Sequence, residues 1–168
     1  ILRRRWEERG RKDVPTLATS RLELLAEVLE GDRRTATVVA TEIEWARARM
    51  VSATDYAAVA TNSGRRPSIG ADRVGQVYRS FDALKRKRRI LDFDDLLSEA
   101  INELQRPGAA AALGWWHRHL HVDEFQDINP LQFAFLEALR NGNTDLFVVG
   151  DPAQAIYGWN GADPTLLD

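Results

Sequence analysis

The chain has 168 residues, 44% of them apolar, enough for one ordinary domain or two small ones with a buried core. Its formal net charge of −2 excludes a wholesale polyanion binder, but ILRRRWEERGRK at the start and KRKRR at 85–89 are basic while 92–103 and 123–127 are acidic, so a local nucleic-acid surface stays open. The lack of cysteine removes any disulfide framework or cysteine metal site and points to a reducing, cytoplasmic setting, and no apolar run approaches membrane-spanning length.

In chain order, leucines at 17, 22, 25 and 29 mark one face of a helix over Thr16 to Gly31, which Gly31 can terminate. A second helix places Val39, Ile43, Ala46 and Met50 on one side and leaves Glu42, Glu44, Arg47 and Arg49 largely solvated. Ser52 and Asp55 form a capping-box pattern that starts a short third helix, and 61–70 is a loop by its Gly, Pro and Ser content. Val74, Val77, Tyr78, Phe81 and Leu84 predict a fourth helix running into the basic turn, so residues 1–90 read as all-helical, with no strand.

Beyond the basic run, Leu96, Leu97, Ala100, Ile101 and Leu104 line another helix, which Pro107 and Gly108 stop, and AAAALGWW at 109–116 is a further helical piece. A short strand with Leu120 and Val122 follows, then a helix that Asn129 can cap and Pro130 can start, carrying Leu131, Phe135, Leu136 and Leu139 at helical spacing. A second strand, Leu146 to Val149, ends at Gly150 and Asp151. Strand, crossover helix, strand predicts a parallel α/β arrangement, and the composition shift near residue 90 divides the chain into 1–90, helical, and 91–168, α/β. Ile1 falls inside what reads as a helix, and ADPTLL reads as a helix start close to the end, so a fragment of a larger protein is expected.

The chemistry sits at the two strand ends. Asp123 and Glu124 stand where an open α/β sheet holds a Mg²⁺-nucleotide site: one carboxylate can keep the ion while its neighbour orients or deprotonates a water. An isolated Asp-Glu pair more often simply ends a strand. In the second motif Gln154 offers an amide to a phosphate oxygen or a water, and Tyr157 and Trp159 either stack nucleic-acid bases or pack beneath their own loop.

DFDDLL, VDEFQD and VVGDPAQAIYGWNGA, taken together, resemble successive motifs of the UvrD/Rep-type superfamily 1 ATP-dependent DNA helicases, and the helical first half is similar to that family's helical insertion. The resemblance implies a helical (1B-like) subdomain over 1–90 and, over 91–168, part of a RecA-like P-loop NTPase domain with a parallel sheet. It implies ATP and Mg²⁺ as cofactors, with Asp123 holding the ion, Glu124 activating the hydrolytic water and Gln154 contacting the γ-phosphate. Phe93, Tyr157 and Trp159 correspond to aromatics that engage DNA, and Gln126 and Asp127 complete the acid motif and link it to its neighbours. The implied partners are single-stranded DNA, duplex junctions and a second motor domain of the same protein, and the implied activity is 3′-to-5′ translocation and unwinding in repair or replication. Two departures stand out: Asn160 occupies a position that is often basic in the family, and no GxxxxGK[ST] occurs, so these residues alone are not expected to hydrolyse ATP.

Two other readings compete. His117, His119, His121 and Asp123 alternate along a strand and so share one face, a pattern suited to zinc and hence to a zinc-dependent hydrolase. A noncatalytic single-stranded-DNA-binding remnant is the other. KRKRR reads as a solvated helix end more readily than as a phosphate-tracking patch.

Overall fold

The computed structural model describes residues 2–10, 14–109, 119–140, 145–155, 161–162 and 166. The chain is mostly helical with two small parallel sheets, and it divides into two compact units: Pro15–Asp92, and Ile1–Val14 together with Phe93–Asp168.

In the unit Pro15–Asp92 the helices are α2 (Arg21–Val28), α3 (Arg33–Ala48), α4 (Tyr56–Asn62) and α5 (Ala71–Arg88). Ser20 and Asp32 start the first two by accepting the amides of Glu23 and Thr35, which otherwise have no partner within their helices. Leu25, Val39, Ile43, Tyr56, Val74 and Phe81 form a fully buried centre that the helical spacing selects.

This unit departs from the sequence reading at several places. Thr16–Leu17 (β1) is a strand, not helix, and pairs in parallel with Ile90–Leu91 (β2), a two-residue bridge too short to leave a periodic signal. Met50 lies beyond the end of α3 in the left-handed region and is exposed. Glu42 is buried rather than solvated, because Arg65 donates to both of its carboxylate oxygens, at 2.8 and 2.9 Å, and the Tyr56 hydroxyl donates to one of them. Burial by itself would raise the Glu42 pKa, but the Arg65 and Tyr56 bonds outweigh it and hold the carboxyl below its ordinary value.

The basic turn divides by residue. Arg86, Lys87, Arg88 and Arg89 are exposed, and Arg88 pairs with Glu27, so this part is a solvated helix end. Lys85 is buried, with its ammonium 2.8 Å from Asp92 Oδ2 and over the Phe81 ring. Arg47, expected on the solvated face, is largely enclosed instead, its side chain 11% exposed, because it donates to Asp82 and, with Arg21, faces Asp92.

The second unit contains α1 (Leu2–Glu8), α6 (Phe93–Leu104), β3 (His119–Val122), α7 (Pro130–Arg140) and β4 (Asp145–Val148). The N-terminal α1 packs on α6, and α6 packs on α7. Asn129 and Gln132 form a reciprocal capping box at the start of α7: Asn129 Oδ1 accepts from the Gln132 amide at 2.9 Å, and Gln132 Oε1 accepts from the Asn129 amide at 3.0 Å. Pro130 takes the first helical position, where its missing N–H costs nothing. Strands β3 and β4 are parallel, with His119 opposite Asp145 and Val122 opposite Val148. Both strands therefore end at the same edge of the sheet. Leu131 and Leu136 of α7 are buried, as is Phe125, which meets Phe133 edge-on, whereas Phe147 and Val149 are exposed.

Candidate functional site

The carboxyl ends of β3 and β4 build the site. The ladder continues past the strands, with the Val149 amide donating to the Val122 carbonyl and the Phe125 amide to the Val149 carbonyl. Two residues, Asp123 and Glu124, are thereby left outside the pairing. The chain rejoins at Phe125 only because Glu124 adopts the left-handed conformation, φ 52° and ψ 42°, which costs a non-glycine residue about 1–2 kcal/mol. Strain at one residue of a strand-end loop is typical of a backbone held in place by its surroundings.

Those surroundings are identifiable. Asp123 Oδ1 accepts the Glu124 amide at 2.9 Å. Gln126, 1% exposed, donates from Nε2 to Glu124 Oε2 at 2.5 Å and accepts the Asp151 amide on Oε1 at 2.9 Å. A carboxylate on one side and an N–H on the other admit one orientation of that amide. Gly150 is required for this approach: a Cβ there would stand 2.6 Å from Gln126 Oε1 and 3.1 Å from the amide nitrogens of Phe125 and Gln126.

After β4, Asp151 closes a short 3₁₀ turn, Pro152–Gln154, accepting the Ala153 amide on Oδ1 at 2.9 Å and the Gln154 side-chain amide on Oδ2 at 2.8 Å. These two bonds hold the Asp151 carboxyl below its ordinary pKa. An unbroken hydrogen-bonded path thus runs from Glu124 through Gln126 and the backbone and side chain of Asp151 to Gln154. Asp123, Glu124 and Gln154, singled out from the sequence, are all exposed at this edge. The link through Gln126 that the motif resemblance implied is present, but the place of Asp151 in it was not anticipated. An Asp directly before Pro152 was its available signal, since that pair favours a turn built on the Asp side chain.

The donor set suits a hard cation. Among the described residues Asp123 Oδ2 has no partner, and it lies at the exposed strand end. Of the described histidines, His119 Nδ1 lies 3.3 Å from Asp145 Oδ2 on the opposite strand, and the His121 ring tilts against Phe147. No group of three or more His, Cys, Asp or Glu among the described residues is arranged to hold a metal, so the zinc pattern finds no support there. Phe93 is exposed at the first position of α6 and lines an apolar groove with Leu2, Leu96, Leu97, Ala100 and Phe135. His117, Tyr157, Trp159 and Asn160 lie outside the described residues, as does nearly all of the piece expected to be helical at 109–116.

Residues 2–168 match the UvrD/REP helicase N-terminal domain. The chain belongs to the UvrD/REP helicase family. Within that family it is 37% identical over 133 residues to the ATP-dependent DNA helicase UvrD2 of Mycobacterium tuberculosis H37Rv, an alignment covering 77% of this chain and 19% of the relative. It is 36% identical over 115 residues to the ATP-dependent DNA helicase PcrA of Leuconostoc citreum, covering 68% of this chain and 15% of that protein. With PcrA of Staphylococcus epidermidis RP62A the identity is 40% over 91 residues, 54% of this chain and 12% of the relative. The chain thus spans less than a fifth of the length of these UvrD/REP relatives. Among the described residues no helix is long and apolar enough to cross a membrane.

Proposed function

We propose that these residues are part of the first motor half of an ATP-dependent DNA helicase, and that the edge formed by β3 and β4 is the hydrolytic side of its nucleotide site. The observation that carries this reading is the hydrogen-bonded junction of the two motifs: Gln126 joins the end of β3, bearing Asp123 and Glu124, to the turn after β4, bearing Gln154. Parallel strands that deliver carboxylates and an amide to one edge are what a nucleotide site in an α/β sheet requires.

ATP with Mg²⁺, when bound, supplies the γ-phosphoryl group to be transferred to water. Asp123 would hold the ion through its outward carboxylate oxygen, Glu124 would orient and deprotonate the attacking water, and Gln154 would contact the terminal phosphate. One N–H of the Gln154 amide is given to Asp151, and its second N–H is available for that phosphate. The backbone cradle and lysine of a GxxxxGK[ST] loop, absent from these 168 residues, would come from elsewhere in the intact protein, as would the arginine fingers of a second motor domain. In a RecA-like sheet further strands and helices would cover Phe147 and Val149, which are exposed on this two-stranded pair.

Under the same reading the 1B-like helical subdomain expected over 1–90 corresponds to the unit Pro15–Asp92, while α1, which packs on α6, goes with 91–168 in the partial motor domain. Phe93, Tyr157 and Trp159 engage single-stranded DNA by stacking, which tolerates any base sequence. Translocation 3′ to 5′ and unwinding at duplex junctions, serving repair or replication in the cytoplasm, complete the proposal. Its test is DNA-stimulated ATP hydrolysis by the full-length protein. Turnover that stops on Glu124→Gln while Mg·ATP still binds supports it; turnover that survives that change removes Glu124 from the role.

A further inference from the structure

We propose that Asp92, the first residue of DFDDLL, is the clasp of the helical unit: it fastens the end of that unit to its beginning, and the seam it closes stays closed in every nucleotide and DNA state. The chain enters the unit at Pro15 and leaves it at Asp92, and the two ends meet in the β1–β2 bridge, with α2 to α5 between them. Across the bridge the Thr16 amide donates to the Arg89 carbonyl at 3.0 Å and the Ala18 amide to the Leu91 carbonyl at 2.7 Å. Thr16 and Leu17 are exposed, so water competes for these bonds, and a bridge this short holds little by itself against the closure of so long a loop. What lies beside the bridge is enclosed. Asp92, directly after β2, is 4% exposed and accepts from the Lys85 ammonium of α5 at 2.8 Å, with the guanidinium groups of Arg21 and Arg47 at 3.5 and 3.8 Å. Arg21 is the first residue of α2, shortly after β1, so its pairing with Asp92 extends the join of entry and exit beyond the backbone ladder. Arg47 brings in α3, and Asp82 of α5 accepts from Arg47 and lies 4.0 Å from Lys85, so two carboxylates share the cations. Withdrawing Asp92 from this cluster would strand charge in an enclosed site, which makes parting the two ends unfavourable. Every group in the clasp belongs to the helical unit, although Asp92 directly precedes Phe93, so the seam needs neither nucleotide nor DNA to form.

The experiment is hydrogen exchange resolved to single amides by mass spectrometry, on the full-length protein, following Thr16 and Ala18. Wild type is measured alone, with Mg²⁺ and a non-hydrolysable ATP analogue, with single-stranded oligo-dT, and with both; the two seam amides should exchange at the same rate throughout. Asp92→Asn keeps the shape of the side chain and removes its charge. In it the seam amides should exchange about 100-fold faster, the scale on which a buried pair is broken, and amides at the centre of α3, around Val39 and Ile43, about tenfold less than that. Wild-type exchange at the seam in Asp92→Asn overturns the proposal. So does equal acceleration at the seam and at the centre of α3, which would make Asp92 an ordinary core residue, and so does seam protection in the wild type that changes on binding nucleotide or DNA. Should Asp92→Asn fold poorly, Arg21→Gln removes the cation that joins entry to exit from a side chain 20% exposed. It should speed Ala18 about 10-fold, and wild-type exchange there would be equally decisive against the clasp. A wild type that binds neither nucleotide nor oligo-dT would count against the helicase reading instead, and the two variants would still decide the clasp.

Discussion

Gly150→Ala is the most demanding local perturbation of the site. The added Cβ would stand 2.6 Å from Gln126 Oε1 and 3.1 Å from two backbone nitrogens. The nitrogens are fixed, because the Phe125 amide belongs to the ladder through the Val149 carbonyl. The Gln126 amide must therefore give way, and it is enclosed, so it cannot swing aside and keep its partners. The neutral bond to the Asp151 amide is worth about 1 kcal/mol, and the bond to the exposed Glu124 carboxylate about 1.5, near the low end of the charge-assisted range, so the local loss is about 2.5 kcal/mol. At 1.4 kcal/mol per factor of ten, the Asp151 amide should exchange roughly 60-fold faster with solvent deuterium if it opens locally. Hydrogen exchange read by mass spectrometry on peptides spanning the two strand ends measures this in the full-length protein. Unchanged protection at Asp151 would refute the argument that Gly150 is needed for the approach.

In the unit Pro15–Asp92, Asp92→Ala removes the carboxylate that the buried Lys85 ammonium faces at 2.8 Å, and should destabilise that unit by about 3–5 kcal/mol in denaturant titration. Glu42 and Asp92 both hold folded pKa values below their unfolded values of 4.5 and 3.8, Asp92 because the neighbouring cations Arg47, Lys85 and Arg21 outweigh its burial. The stability they contribute is therefore complete above those unfolded values and is lost as pH falls further; circular dichroism melts should show the transition dropping below about pH 4.5, with a smaller drop in Glu42→Gln. Asn129→Ala opens the capping box of α7 and should cost about 1 kcal/mol, visible as faster amide exchange at Gln132. Asp123→Asn should raise the Mg²⁺ concentration needed for half-maximal ATPase activity of the full-length protein, and an unchanged requirement would place the ion elsewhere.

The strand-helix-strand unit was legible because each of its signals is local and strong. Asn129 and Pro130 announce the helix start, the apolar runs are short, and each ends abruptly in acid or glycine. The candidate residues Asp123, Glu124 and Gln154 were legible for the same reason, since the motif order places them at strand ends. What escaped is non-local. The β1–β2 bridge joins residues 74 positions apart, Thr16 with Ile90, through two residues each, and no periodicity survives at that length. Glu42 lies on what reads as the solvated face of α3, yet Arg65, from a loop that passes nearby, and Tyr56 draw it into the core. Lys85 belongs to a run that looks solvated, but Asp92 lies close enough to bury it. The left-handed Glu124 and the enclosure of Gln126 follow from where the ladder resumes, and only paired strands reveal that.

The central claim is that the β3–β4 edge is the hydrolytic half of a nucleotide site, with Glu124 acting on the water. The direct measurement is steady-state ATP hydrolysis by the full-length protein with and without single-stranded DNA, for wild type and Glu124→Gln. DNA-stimulated turnover is expected in the wild type, with its loss in Glu124→Gln and Mg·ATP binding retained. Equal turnover in the two proteins would contradict it.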